Sequence, residues 1–255
     1  MKLRHFVLTR AVYSPDLWTE AANQRRLHIF KAVTVSSLRA QVSRDWSWVV
    51  MLHPSDPFYA ERKRLILSAS PKAIILNFNN AKIPAAKIPA TRDVLALRAY
   101  TGWRDALRSS EGNLLTTRID DDDAFTSRAL LRIRKAAETR RDQRTAWIIP
   151  NGYRLWRGRY AAIRHETNAW ASICTPAKDP FVIYDVRHRN IARAAPVRFV
   201  DELPGWLWIR HEDTLSNEKA AGTPVDQKLR DLYAVKWSAL PPPARTVASN
   251  GQTRY

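Results

Sequence analysis

Residues 114–125 read LLTTRIDDDDAF, an apolar run that stops on four consecutive aspartates. The stretch from Leu114 to Ile119 has the short length and aliphatic and β-branched content of a buried strand. Adjacent carboxylates repel one another, so a run of four needs a cation or hydrogen-bond donors to hold it. Alternate side chains of a strand face opposite ways, which would place Asp120 and Asp122 on one face, point Asp121 elsewhere and turn Asp123 into the next helix. Ligands of open α/β sheets bind beyond the carboxyl ends of the strands. Two carboxylates there suit a hard cation, Mg²⁺ or Mn²⁺, which takes oxygen ligands and keeps positions for substrate phosphates. The competing reading is an exposed acidic loop that caps the following helix, with Asp123 or Thr126 as the cap.

The flanking sequence alternates between two periods. His5 to Thr9, Trp46 to Leu52 and Ala73 to Phe78 read as further strands of the first half. Between them lie helical patterns from Leu17 to Gln41, broken near Thr34 to Ser36, from Phe58 to Ser68 and from Asp93 to Arg108, with another from Thr126 to Arg144. Lys82 to Ala90 carries two Ile-Pro pairs and reads as a loop. Strands separated by helices of this length predict a βαβ succession and a mainly parallel sheet. The second half differs, with strands over Ala146 to Pro150, Tyr153 to Arg164, Phe181 to Val186 and Gly205 to Arg210 and only short helices between them. We read these as an antiparallel extension of the same sheet. Thr223-Pro224-Val225-Asp226 has the hydroxyl cap, proline and acid of a helix start. Residues 1–240 form one domain on this reading, and 241–255 a mobile tail without periodicity.

Composition narrows the setting. The 255 residues are 45% hydrophobic and include ten Trp, enough to build a core, so disorder is excluded for most of the chain. The single cysteine, Cys174, rules out an internal disulfide and a thiolate metal site, and reads as a small buried hydrophobe in a reducing compartment. No run approaches the roughly 18 apolar residues of a spanning helix, and the start MKLRHFVLTRAVY lacks the apolar run of a signal peptide. The expectation is a soluble cytoplasmic protein. Forty-two Lys and Arg against 24 acids leave a net charge of +18, which favours an anionic partner: nucleic acid, an anionic membrane surface or a phosphorylated small molecule.

The strand, helix ending in SLRAQ and strand WSWVV at the start resemble the opening of the GT-A glycosyltransferases, and TTRIDDDDAF resembles their DxD motif in an Asp-x-Asp-Asp form. With LTR near the start and the late GWLWIRHEDTLSN, residues 1 to about 220 look most like the bacterial rhamnosyltransferase family. The resemblance implies an α/β, Rossmann-like GT-A fold, a nucleotide-sugar donor and a divalent metal that holds its diphosphate. It also implies transfer to a saccharide or lipid-linked acceptor, as in bacterial surface polysaccharide synthesis. The sequence departs from the pattern after the second strand, where His53 stands in place of a nucleoside-binding aspartate and Asp56 follows three residues on.

The resemblance also assigns roles. Asp120 would approach the donor ribose or the metal, and Asp122 would coordinate the metal together with a late histidine, His211, for which His188 is the rival. Arg104 would face the donor phosphates, and Thr9 and Arg10, ending the first strand, would meet the nucleoside. An inverting transfer needs a carboxylate to deprotonate the acceptor hydroxyl. Glu166 is the first candidate, because it lies in the half that presents acceptor residues, with Asp185 and Asp179 as alternatives. Trp156 and Trp170 stand among arginines, where an indole face could stack on a sugar or simply pack.

Two other classes compete. A carboxylate cluster on a basic protein also suits a metal-dependent nuclease, although no nucleic-acid-binding motif is present and the carboxylates are contiguous. In a non-catalytic binding module the aspartates would serve only as a cap. The reading as a transferase carries no nucleic-acid partner; peripheral contact with anionic lipid fits its charge.

Overall fold

The computed structural model describes residues 3–11, 19–77, 103–109, 111–140, 144–156, 159–211, 223–224 and 232–236. Its centre is a seven-stranded sheet. Strands β1 (Leu3–Ala11), β2 (Ser47–Leu52), β3 (Ile74–Asn77) and β4 (Asn113–Arg118) run parallel, with β1 between β2 and β4. The sheet continues from β4 through β9 (Ser172–Pro176) and β6 (Thr145–Ile148) to β10 (Val197–Phe199). Of the seven, β9 alone runs antiparallel to its neighbours. The protein is thus of the α/β class, with a large and mostly parallel sheet.

Both faces of this sheet are covered, as parallel strands require. Alternation along β2 shows it: Trp48, Val50 and Leu52 join one core with Leu27, Phe30, Leu38, Leu65 and Ile66, while Val49 and Met51 join the other with Trp103, Leu107, Val182 and Ile191. The first core is supplied by α1 (Glu20–Phe30), α2 (Ser36–Arg39) and α3 (Tyr59–Ala69). Thr19 starts α1 by accepting the Ala22 N–H at 3.2 Å. The interruption foreseen near Thr34 is a π-helical segment, Lys31–Val35, between α1 and α2. Cys174 is fully buried in β9.

The second half departs from the sequence reading in four places. The antiparallel strands do not all extend the first sheet, because a second sheet of five strands stands apart from it. Its members are β5 (Ala124–Phe125), β7 (Asn151–Trp156), β8 (Arg159–Arg164), β11 (Trp206–Arg210) and β12 (Thr223–Pro224), in the order β12-β8-β7-β11-β5. Tyr153 to Arg164 is accordingly not one strand but a hairpin, β7 against β8, with Trp156 opposite Arg159. Phe181 to Val186 is not a strand: Ile183–Asp185 makes a 3₁₀ turn, because the Asp185 carboxylate accepts the Val182 N–H at 2.9 Å. Thr223 and Pro224 pair with Ala162 and Ala161 at the sheet edge instead of opening a helix, a place where proline is tolerated. The loop at Lys82 to Ala90, most of the Asp93 to Arg108 helix, residues 225–231 and the 241–255 tail lie outside the described residues.

Trp206 joins the two sheets. Its indole stacks on Trp170 with centroids 4.0 Å apart and planes 9° from parallel, and its Nε1 donates to the Ile149 carbonyl at 2.9 Å. Gly152 lies opposite Trp206, and a Cβ there would come within 2.1 Å of the indole. The glycine is required by that close approach.

Candidate functional site

The acidic turn follows β4 directly. The Ile119 N–H still donates to Leu8 of β1 at 3.1 Å, and the chain then folds back so that the Asp123 N–H donates to the Asp120 carbonyl at 3.3 Å. Thr34, in the π-helical segment, donates its hydroxyl to the Asp123 carbonyl at 2.9 Å and clamps the turn from below. Because β4 ends at Arg118, the aspartates occupy a turn and strand alternation does not govern them.

Each carboxylate finds a different partner. Asp120 accepts two hydrogen bonds from Arg118, at 2.9 Å and 2.7 Å, and the guanidinium lies over the Tyr184 ring. Burial alone would raise the Asp120 carboxyl, but Arg118, with Arg10 and His188 nearby, brings it below the ordinary carboxylate range. Asp121 is buried against Arg26, whose Nη2 donates to Oδ1 at 3.0 Å; burial and the neighbouring Asp122 push its carboxyl well up. Asp123 is buried as well and accepts the Trp170 indole N–H at 2.9 Å, with its carboxyl likewise raised by burial and by Asp122 and Asp120.

Asp122 differs from the other three. Its Oδ2 lies 3.1 Å from His211 Nε2, just beyond β11, and 3.5 Å from Arg26 Nη2. The turn therefore presents one carboxylate oxygen and one imidazole nitrogen side by side at the carboxyl end of the parallel sheet. Those two atoms could hold a hard cation that fills the rest of its shell from phosphates and water, in competition with the Arg26 guanidinium beside the same Oδ2. No cluster of three or more acidic, histidine or cysteine side chains that could hold a metal occurs among the described residues.

The capping role forecast for Asp123 or Thr126 is not seen. The helix after the turn, α4, spans Ala129–Glu138, and it has no side-chain bond from its N-cap residue. Gln41 instead reaches across from the end of α2 and accepts the Leu130 N–H at 3.2 Å, while its amide donates to the Thr126 carbonyl at 2.9 Å.

Of the remaining candidates, Arg10 and His188 lie near Asp120, and the others are engaged elsewhere. Thr9 is buried, and its hydroxyl accepts the Trp48 indole N–H at 2.9 Å. Arg10 follows at the end of β1, half-buried and close enough to act electrostatically on Asp120 and Asp121. Arg104 donates to Asp185 at 2.8 Å, so these two candidates are partners of each other. The Asp185 carboxylate is buried, its pKa raised by that burial against the opposing pull of Arg104. Glu166 sits in the turn after β8, 58% exposed and 3.2 Å from Arg164. His188, near Asp120, is held down to about 4 by burial and Arg118, which keeps it neutral at pH 7. Asp56 is buried in an ion pair with Arg62 at 2.7 Å and His53 is buried beside it in the chain, so this pair supports α3.

Three residues that hold the turn were not read as its partners from the sequence: Arg26 and Thr34, and Trp170, for which only stacking or packing was foreseen. They come from positions 95, 89 and 47 residues away from their aspartate partners, and no local pattern marks them.

The family model described as "Putative rhamnosyl transferase" matches residues 10–223 of this chain. The chain belongs to that family. The matched span holds the acidic turn, Arg26 and His211, so both of these partners of Asp122 fall inside this family's domain. No curated protein matches the sequence. Among solved structures, this rhamnosyl transferase family chain is similar to S. aureus TarS, with a TM-score of 0.48 and 8% identity over 81% of this chain and 37% of TarS. It is similar also to TarS 1–349 in complex with UDP (0.47, 8%, 82% and 61%). With TarS 1–349 in complex with UDP-GlcNAc the figures are 0.48, 9%, 83% and 60%. The chain thus spans between 37% and 61% of the length of these TarS chains.

Proposed function

We propose that this protein is a GT-A-type glycosyltransferase that moves a sugar from a nucleotide-diphosphate donor to a saccharide or lipid-linked acceptor, with its reaction centre at the acidic turn after β4. The observation that carries the reading is the Asp122–His211 pair, 3.1 Å apart at the carboxyl end of a parallel sheet in a chain of this family. Ligands of open α/β sheets bind at that edge.

Asp122 and His211 would hold the divalent ion. Bound there, Mn²⁺ or Mg²⁺ would supply charge stabilisation to the departing diphosphate, worth several kcal/mol. Asp120, fixed in orientation by the two bonds from Arg118, presents a carboxylate for the donor ribose. Arg10 adds positive charge beside it at the end of β1. Thr9 acts indirectly, since its hydroxyl anchors Trp48, and Arg104, held by Asp185 through its Nε, keeps the rest of its guanidinium for the donor phosphates. In an inverting transfer the acceptor oxygen attacks the anomeric carbon, its proton passes to a carboxylate, and the bond to the diphosphate breaks. Glu166, though paired with Arg164, is the carboxylate for that proton by its exposure, whereas Asp185 is buried and held by both Arg104 and the Val182 N–H.

The domain spans residues 1–240 on this reading. No helix of the described residues is long and apolar enough to cross a membrane, and the +18 charge suits peripheral attraction to anionic lipid on the cytoplasmic side. Incubation with a panel of UDP-, GDP- and dTDP-sugars and Mn²⁺ tests the proposal. Slow metal-stimulated hydrolysis of one donor supports it, whereas cleavage of DNA or RNA under the same conditions, or no reaction with any donor, overturns it.

A further inference from the structure

The second sheet carries a face whose composition the acidic turn does not explain. On β7 and β11, which run parallel with Arg154 beside Trp208 and Trp156 beside Arg210, the alternation separates two faces. One face is apolar: Leu207, Ile209 and Tyr160, with Tyr153 and Leu155 packed alongside, meet Ile29 and Val33 of the first half. The other begins at Gly152 and Trp206, which is buried in the first core with Trp208 packed against that core, and continues with Arg154, Trp156 and Arg210; the β8 residue opposite Trp156 is Arg159. Trp156, Trp208, Arg154 and Arg210 are half-buried and Arg159 is exposed.

These side chains are ordered as a ladder. The Arg210 guanidinium lies 5.2 Å from the Trp156 ring centre and 5.3 Å from that of Trp208. Trp208 meets Trp170 edge-on at 6.3 Å, and Trp170 bonds Asp123. The ladder therefore starts at the acidic turn and leads away from it along the sheet. Three guanidiniums share this face, and neither Arg154 nor Arg159 forms an ion pair among the described residues. Arg154 is weakened as a cation by its burial and by the charge of Arg210, a cost that an anion between them removes.

Flat indole faces bind the apolar faces of pyranose rings, and planar guanidinium forks bind carboxylate or phosphate. We infer that the Trp156–Arg210–Trp208 ladder with Arg154 and Arg159 is an acceptor subsite for a saccharide bearing an anionic substituent, carboxylate or phosphate. This rests on the transferase reading, because it takes the acidic turn, reached from Trp208 through Trp170, as the donor end.

The test is calorimetric titration of the full chain, without donor, with three oligosaccharides of equal length: one bearing uronate carboxylates, one phosphorylated and one neutral. At least tenfold tighter binding of an acidic probe than the neutral one supports the subsite, and the tighter of the two acidic probes names the substituent. Arg154→Gln and Arg159→Gln should each erase most of that preference, and Trp156→Ala should weaken all probes alike; circular dichroism checks that each is folded. Equal affinity for acidic and neutral probes, or a preference unchanged in both arginine variants, overturns it. A parallel titration with nucleotide-sugar separates the two readings. Donor binding without acidic preference sinks the subsite alone, and acidic preference without any donor binding leaves a binding site for acidic saccharide but overturns its role as an acceptor subsite together with the transferase reading.

Discussion

His211 Nε2 lies 3.1 Å from Asp122 Oδ2 although 89 residues separate them in the chain. The contact joins the end of β11 in one sheet to the turn after β4 in the other, so the site exists only when both sheets are in place. Asp122→Asn should lower metal-stimulated donor hydrolysis by about 100-fold, through loss of leaving-group stabilisation of several kcal/mol. His211→Ala should raise the Mn²⁺ concentration needed for half-maximal rate. Hydrolysis rates across a manganese series check both, and a wild-type rate in Asp122→Asn would reject the assignment.

Arg26 is the buried counter-charge of the turn, with side-chain exposure of 9% against 7% for Asp121. Removing one member of a buried pair strands the other, so Arg26→Met should cost about 3–5 kcal/mol in urea unfolding. Arg26→Met combined with Asp121→Leu should regain most of the loss. A double variant no more stable than Arg26→Met would show that the arginine acts elsewhere.

Gly152→Ala should be among the most damaging small substitutions. Its Cβ would fall 2.1 Å from Trp206 Cδ2, inside the stack that Trp206 makes with Trp170. Overpacking of this kind costs about 1–3 kcal/mol or more. A pairing with Trp206→Leu, which frees the space, should recover part of the thermal midpoint that Gly152→Ala loses.

The His5 imidazole is buried in β1 with Nε2 2.8 Å from Thr117 Oγ1, and burial followed by Arg134 lowers its pKa to about 3. An unfolded histidine titrates near 6.5, so between these values the unfolded chain binds a proton that the folded one refuses. His5 thus contributes its full share of stability above about pH 6.5 and loses it as pH falls towards 3. Urea midpoints from pH 7 to pH 4 should fall more steeply in the wild type than in His5→Gln. Parallel profiles would show that this histidine is not the source of the slope.

Much of the first half was legible because its elements announce themselves locally. Trp46 to Leu52 and Leu114 to Ile119 are apolar runs that the structure keeps as β2 and β4, and the apolar stripe of α1 with its break near Thr34 is found as a π-helical segment. In the second half the strands are short and their surroundings decide them. Ser172–Pro176, SICTP, has no alternation to read, because neighbours on both sides bury it. The apolar run Val182-Ile183-Tyr184 misleads in the opposite sense: its side chains are buried from a 3₁₀ turn, not a strand.

The four aspartates, their place after a buried strand and the excess of arginine follow from the sequence itself, since charge and strand period are local properties. Which carboxylate meets which partner was decided, for all but Asp120, by tertiary structure. Arg118 claims Asp120, Arg26 claims Asp121, His211 meets Asp122 and Trp170 claims Asp123. Three of those four partners arrive from distant elements. Only the packing of the two sheets and the helices between them brings Arg26, His211 and Trp170 to the turn and so sets which aspartate meets the imidazole.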